Sequence, residues 1–536
     1  MGMYLDPGNE SFRSDLESDI YIDKTEMLSI LNKNIGKSRR YFAVSRARRF
    51  GKSMAADMID AYYSVGCDSR EMFSSFKIAE DPDFEVYLNQ YHVLHFDMAT
   101  FLNEARSDEN PMDLMNDTIL KDFREAYPTV VGADVRTVPR AVESVWKNDG
   151  IQFVIIIDEW ECVIREAKTD HKLIMDYLKY LRGFFKTEES KGFLALGYIT
   201  GILPIKKFDG ESAMNNFIEY TMISPKNLAP YFGFTDREIL PYLDENGMTL
   251  DDIKHWYDGY IMETLNADKS FSYVHMYNPN SIVDAITFHK IESYWKNTGA
   301  FRYLNDYIGR NEDGLKDAVI RMLAGEDYPV DVDTFQNDLT SYSGKDDVLT
   351  ALIHMGYLGY DVRTGKAFIP NEEVREVFSS AIKVGDWKDI SDALRNSDSI
   401  LEATWNEDGE RVACAIAKSH QDYTSILEFH DENSLALAIM MTYYTARKHY
   451  VIIRELPSGK GFADIAFIPK RNSDKPAMIV ELKWNKDADT AIDQIHRRNY
   501  AGKLEDYGGD LLLVGLNYDR EKKEYSCKIE KNVGLL

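Results

Sequence analysis

The sequence is poor in cysteine, in long apolar runs and in positive charge. Its four cysteines, Cys67, Cys162, Cys414 and Cys527, lie far apart with no C-x-x-C pair. That excludes a disulfide framework and a zinc site of such spacing, and it fits a reducing cytoplasm. Apolar runs such as "FVIII" at 153–157 and "LLLVGL" at 511–516 fall far short of the ~20 residues that cross a bilayer, and they have the length and β-branching of buried strands. No membrane segment is expected. Residues 1–19 hold no basic segment followed by an apolar one, and Asp6 stands where a myristoylation signal needs Ser or Thr, so neither export nor lipid attachment is expected. Lys and Arg number 63 against 89 Asp and Glu, a net charge of −26. Such a chain stays soluble and repels nucleic acid on average, so contact with DNA or RNA requires a local basic patch.

Core-forming material is plentiful. Hydrophobic residues make up 44% and aromatics 12% of the 536 residues, enough for about three or four packed units. The first part alternates strand and helix patterns. "YFAVS" (41–45), "YHVLHFDMA" (91–99), "IQFVIIIDEW" (151–160) and "GFLALGYITG" (192–201) are apolar strands, and "KSMAADMIDAYYS" (52–64) has helical apolar spacing. Near-continuous apolar strands separated by helices predict a parallel sheet covered on both faces. Ligands of such sheets sit at the carboxyl ends of the strands, where Gly51, Asp158 and Thr200 fall.

The stretch "AVSRARRFGKS" (43–53) ends in Gly51-Lys52-Ser53 but has Arg46 where a G-x-x-x-x-G-K-[ST] loop has its first glycine. Gly-Lys-Ser alone is ordinary turn chemistry. "VIIIDE" (154–159) supplies a second signal: the apolar run buries a strand and delivers two carboxylates at its tip, as a Walker B strand does. Together they predict an ATP site with Mg²⁺. Backbone N–H groups of residues 49–53, which include Arg49 and Phe50, would hold the phosphates at a helix N-terminus. Lys52 would neutralise their charge, Ser53 and Asp158 would hold Mg²⁺, Glu159 would orient or deprotonate a water, and Thr200 would sense the terminal phosphate. Arg46, Arg48 and Arg49 are expected to present charge to phosphate or else to face a neighbouring subunit, with a nucleic-acid patch as the competing reading. Without the first glycine the loop takes a different shape, and binding is a firmer expectation than hydrolysis.

"YIDKT" (21–25), "RARRFGKS" (46–53), "IDEWE" (157–161), "YITG" (198–201), "FGFT" (232–235), "WYDGY" (256–260), "YNPNS" (277–281) and "YWKNTG" (294–299) resemble the AAA-ATPase-like bacterial proteins whose phosphate loop reads R-P-R-R-F-G-K-S. The arginine is then a family trait. Ala47 replaces the usual proline, and Trp160 stands where tyrosine is common. The resemblance covers about the first three hundred residues and implies a P-loop fold, but no substrate.

Residues 226–399 alternate amphipathic helical stretches with polar turns. The segment 345–382 reads as helix, hairpin around Thr364-Gly365, helix, which is compatible with a winged-helix-like unit. "WYDGY" and "YWKNTG" are expected to be buried packing, with no chemistry assigned. "SDALRNSDS" (391–399) is polar and without apolar periodicity, and is the best candidate linker.

Beyond residue 400 the order is helix (430–446), three strands (450–457, 462–469, 477–484), helix (490–504) and strand (511–518). Side chains alternate along strands, so Asp464 on the second and Glu481 and Lys483 on the third can converge. Asp followed by E-L-K on the next strand resembles the PD-(D/E)XK nuclease signature. Asp464, Glu481 and the Leu482 carbonyl make a hard oxygen site for Mg²⁺ or Mn²⁺, and Lys483 would position or polarise a water. Gln494 matches an auxiliary position, and Glu432 would add a carboxylate. Arg497, Arg498 and Tyr500 could meet a phosphate backbone. A surface ion pair between Glu481 and Lys483 is the plain alternative.

The whole is expected to be α/β: a P-loop NTPase-type parallel sheet in an AAA-ATPase-like domain (1–225), a helical, winged-helix-like connecting region (226–399), and an α/β restriction-endonuclease-like domain (400–536). Two function classes follow. One is an ATP-binding, metal-dependent nuclease acting on DNA or RNA. The other is a nucleotide-dependent switch whose nuclease-like domain recognises nucleic acid or a protein without cutting. The choice of DNA or RNA and the oligomeric state stay open.

Overall fold

Alternation of buried side chains on both faces of one sheet decides the architecture of the first two hundred residues. In the computed structural model, β1 (Tyr41–Ser45), β2 (His92–Asp97), β3 (Phe153–Asp158), β4 (Leu194–Gly201) and β5 (Ile218–Tyr220) form a five-stranded sheet. Its order is β2–β3–β4–β1–β5, every pair parallel. Tyr41, Ala43, Phe153, Ile155 and Ile157 point to one face, under the helices Pro111–Ala126, Val138–Asp149 and His171–Phe185. Phe42, Val44, Val154 and Ile156 point to the other, against Ala55, Ala56, Met58 and Ile59 of α1 (Lys52–Tyr63). A strand apolar on both faces loses its period-two signature, which is why these strands read as continuous runs. The structure describes residues 2–106, 109–167, 170–205, 207–208, 211–212, 214–295, 304, 307, 314–333, 335, 344–384, 387–424, 432–458, 461–470, 473–498, 510–519 and 521–532.

Two units arise from the chain, one of residues 1–298 with 328–374, the other of residues 299–327 with 375–536. The first adds to its sheet the helices Asp236–Glu245, Leu250–Tyr257 and Pro279–Thr287 and the antiparallel hairpin Tyr260–Leu265/Phe271–Met276. The segment around 345–382 is helix Lys345–His354, a hairpin of Gly359–Asp361 with Lys366–Phe368, and helix Glu372–Val384. Tyr328–Pro329 adds a third strand to that hairpin.

The second unit holds a mixed sheet of β6 (Tyr450–Ser458), β7 (Gly461–Pro469), β8 (Ala477–Trp484), β9 (Leu511–Asp519) and β10 (Glu524–Asn532), in that spatial order. Only β8 and β9 are parallel. The crossover between them carries α2 (Ala488–Arg498), whose Ile492 and Ile495 pack on Ala477, Ile479, Leu511 and Leu513. The polar stretch 391–399 is no linker: it lies inside the helix Lys388–Trp405. Leu394 and Ile400 are buried there, and buried Ser397 accepts the Thr445 N–H at 3.0 Å, so a polar position is satisfied by a distant backbone group. No helix among the described residues is long and apolar enough to cross a membrane.

Gly259, in "WYDGY", has φ +128, and a Cβ there would collide with the Pro370 carbonyl. Gly259→Ala therefore combines backbone strain with a clash that backbone alone can relieve, and we expect it to destabilise the first unit by about 2–5 kcal/mol. Thermal or urea unfolding checks this; a melting point equal to that of wild type would remove the packing role assigned to this motif.

Candidate functional site

The carboxyl ends of β1, β3 and β4 meet because their registers align: Val44 lies beside Thr200, Ser45 beside Gly201 and Ile157 beside Ile199. Gly51 caps α1 in the left-handed region, φ 81, a conformation glycine adopts without a Cβ penalty. Lys52, 7% exposed, turns its ammonium back into the loop and donates to the Arg46 and Ala47 carbonyls, both at 3.1 Å. Burial pushes its pKa down, and Glu159, Asp158 and Glu161 oppose that. Asp158 gathers the rest: its Oδ2 accepts from the Ser53 hydroxyl at 2.8 Å, and its Oδ1 accepts from Thr200 Oγ1 and, at 2.9 Å, from the Glu159 N–H. Lys52, Ser53, Asp158 and Thr200 thus share one edge. A hydroxyl and a carboxylate in contact form a hard-oxygen pair that suits Mg²⁺.

Glu159 sits at φ 48 and its Oε2 meets Arg165 Nη2 at 3.1 Å. The same guanidinium holds Glu161 Oε1 at 2.8 Å, and Glu161 also accepts the Ile202 N–H at 2.9 Å. Burial raises Glu161 to about 7 against the pull of Arg165. Sequence reading gave Glu161 no role and passed over Arg165, although both stand within seven residues of Asp158 in the motif stretch.

The loop itself departs from expectation at Arg46. Its side chain is 0% exposed, donates from Nη1 to the Ser45 carbonyl at 3.0 Å and the Tyr220 carbonyl at 2.8 Å, and lies over the Phe232 ring at 5.3 Å. It presents no charge at the loop surface. Arg49 is exposed, at φ 67. Phe50 is buried among Met222, Ala229, Tyr260, Met262 and Met276, edge-on to Tyr260 at 5.3 Å, so only its backbone N–H can serve a phosphate. Two packing motifs touch this loop: Asn278 of "YNPNS" donates to the Arg48 carbonyl at 3.3 Å, and Tyr260 of "WYDGY" meets Phe50 while its hydroxyl donates to the Gly356 carbonyl at 2.6 Å. Of "YWKNTG", residues 296–299 lie outside the described residues.

In the second unit, Ala466 of β7 faces Ile479 of β8, which sets Asp464 and Glu481 at one end of neighbouring strands. Asp464 Oδ2 accepts the Leu482 N–H at 2.6 Å. Glu481, 0% exposed, receives Lys483 Nζ at 2.8 Å and Gln494 Nε2 from α2 on its Oε1. Lys483 also donates to the Leu482 carbonyl at 2.9 Å. The ion pair is thus buried rather than a surface pair, and desolvating both ends is expensive unless further groups meet them. Two carboxylates and a carbonyl give a hard-oxygen donor set of the kind divalent cations take. Of the expected phosphate contacts, Arg497 lies on α2, exposed, while Tyr500 and the side chains of Arg498 and Glu432 lie outside the described residues.

A family model described as Predicted AAA-ATPase matches residues 8–209, and one described as PD-(D/E)XK nuclease superfamily matches residues 431–527. A curated protein of Azotobacter chroococcum mcd 1, described as an uncharacterized protein in the vnfD 5' region, is 20% identical over 306 residues, covering 56% of this chain and 55% of that protein. The chain therefore spans about half the length of the curated relative it matches. Among solved structures, the Aeropyrum pernix ORC2 protein in its ADPNP-ADP complexes aligns with 68% of this chain and 96% of its own, at 13% identity and a TM-score of 0.31, too low to inform the fold. The first match takes in β1 to β4 with Lys52, Ser53 and Asp158, and the second takes in β6 to β9 with Asp464 and Glu481, so this chain joins an AAA-ATPase-like domain to a domain of the PD-(D/E)XK nuclease superfamily.

Proposed function

We propose that this protein binds ATP with Mg²⁺ at the loop after β1 and cleaves phosphodiester bonds of DNA or RNA at the edge formed by β7 and β8. The observation that carries the cleavage reading is the placing of Asp464, Glu481, Lys483 and Gln494 within hydrogen-bond reach of one strand end. An ordinary buried ion pair needs neither the second carboxylate nor the glutamine.

At the first site the N–H groups of residues 49–53, with Lys52, would hold the phosphates. Ser53 and Asp158 would hold Mg²⁺, and Thr200 keeps the Asp158 carboxylate oriented. At the second, Asp464, Glu481 and the Leu482 carbonyl would hold a divalent cation, which when bound neutralises the scissile phosphate and lowers the pKa of a bound water. Lys483 places a positive charge beside that position, and Gln494 fixes the Glu481 rotamer from α2. A substrate backbone reaches this edge only against a net charge of −26, so association depends on local Lys and Arg and weakens steeply with salt.

A second reading, a nucleotide-dependent switch with little hydrolysis, is favoured by one contact. Glu159 is held by Arg165 and is therefore restrained from orienting a water. Under it, wild type and Glu159→Gln bind ATP alike and turn it over at indistinguishable rates.

Lys52→Ala is expected to abolish the rise in melting temperature that ATP and Mg²⁺ produce; equal stabilisation of wild type and variant would sink the nucleotide assignment. Asp464→Asn and Glu481→Gln are each expected to lower Mg²⁺- or Mn²⁺-dependent cleavage of plasmid, single-stranded DNA or RNA by more than about 100-fold, as loss of a ligand exceeds loss of its support. Lys483→Ala is expected to bind metal, seen by calorimetry, without cutting. Cleavage that survives either carboxylate variant would withdraw the nuclease reading and leave a binding module.

A further inference from the structure

Away from the phosphate loop, on the side of the sheet that α1 covers, a second group of ligating side chains belongs to neither proposed site. Asp57 and Asp60 stand three residues apart on α1, hence on one helical face, and His95 comes from β2 opposite. One ligating atom from each of the three lies within 4.8 Å of the others. From the geometry we propose that Asp57, Asp60 and His95 bind a divalent metal ion of the class that takes mixed carboxylate and imidazole ligands, Zn²⁺ or Mn²⁺.

A histidine–aspartate ion pair alone does not account for the cluster. His95 Nδ1 meets Asp60 Oδ2 at 2.5 Å, which occupies one oxygen of a side chain only 4% exposed. The other, Oδ1, is buried without a hydrogen-bond partner, an arrangement that costs stability unless something electropositive meets it. Asp57 adds a second carboxylate, which enters no salt bridge among the described residues. Burial, followed by the Asp60 charge, raises Asp57 to about 7. For His95 burial acts downward, but the charge and hydrogen bond of Asp60, with the charges of Asp158 and Asp57, together outweigh it and the pKa rises to about 9. A divalent ion would meet the unpartnered Asp60 Oδ1 directly, with the imidazole neutral and both carboxylates ionised.

The donor set selects the ion. A borderline imidazole beside two hard carboxylates is a mixed set that suits Zn²⁺ or Mn²⁺ better than Mg²⁺ or Ca²⁺, and three protein ligands leave positions open to water. Bonds of about 2.0–2.2 Å put ligand atoms roughly 3.3 Å apart. Ligand atoms that lie within 4.8 Å of one another would therefore close by up to about 1.5 Å, which side-chain torsions on two fixed backbone elements can supply. The ion would tie α1 to β2 one helical turn beyond Ser53, independently of nucleotide.

The test uses the full chain, stripped of metal, without nucleotide and carrying Glu481→Gln to disable the C-terminal site. Mn²⁺ added to about one equivalent is followed by pulsed EPR. The other two candidate metal sites offer only oxygen ligands, so nitrogen modulation from a single imidazole is expected from this site alone, and it should vanish in His95→Gln. Asp57→Asn alters a partly exposed residue without a salt bridge and should fold; it is expected to weaken Mn²⁺ at least tenfold, and Zn²⁺ should raise the melting temperature of the parent but not of this variant. Absence of nitrogen coupling in the parent, its persistence in His95→Gln, or unchanged Mn²⁺ affinity in Asp57→Asn overturns the proposal.

Discussion

A guanidinium buried with no carboxylate beside it organises the first unit. Arg46 follows β1 directly, its N–H donates to the Gly201 carbonyl of β4 at 3.0 Å, and its side chain reaches the Tyr220 carbonyl of β5. One residue thus clamps the ends of three neighbouring strands. Burial lowers its pKa to about 9, still above neutral, so it keeps the charge that makes these carbonyl contacts strong. In a loop that begins with glycine, the first turn gets its shape from backbone freedom. Here the shape comes from a clamp, and Lys52 rests on the carbonyls of Arg46 and Ala47, both of them buried.

Around that clamp the electrostatics are lopsided. Asp97, Asp158 and Glu159 approach one edge, where Lys52 and Arg165 answer Asp158 and Glu159, while farther along α1 Asp57 and Asp60 face His95. A polyphosphate would add further negative charge, so its cation and Lys52 must outweigh the carboxylates. In the C-terminal sheet, by contrast, Glu481 is tied to Lys483 and Gln494.

Much of this was legible from residues alone, for reasons that can be named. The β1, β3 and β4 runs are nearly continuous in apolar residues, short and flanked by helical patterns, which marks buried strands, and "YFAVS" coincides with Tyr41–Ser45. The E-L-K strand coincides with Ala477–Trp484. Three features were not legible. β5 is three residues long and β10, "EYSCKIEKN", is an edge strand with charged side chains facing solvent, so neither has an apolar signature. The helix through 391–399 has a polar surface, and Ser397 is satisfied by Thr445, 48 residues away. Above all, a loop rich in Arg reads as a charged surface, and nothing local reveals that Arg46 finds its carbonyl partner at Tyr220, that Asn278 donates to the Arg48 carbonyl, or that Tyr260 packs edge-on against Phe50.

The strand order also sets a timetable for a chain leaving the ribosome. β1 pairs with β4 and β5 and with no strand made earlier. Its first partner starts at Leu194, which is 194 − 41 = 153 residues after Tyr41. At about 5–20 residues per second that gap is roughly 8–30 s, during which β1 has no strand beside it, although Phe42 and Val44 can already pack against residues such as Leu28 and Ile59. β2 and β3 are complete before then and can pair, so the sheet grows from its far edge inward. The segment that looks most like a self-contained motif on paper therefore depends for its strand pairing and for the Arg46 clamp on residues made more than 150 positions later.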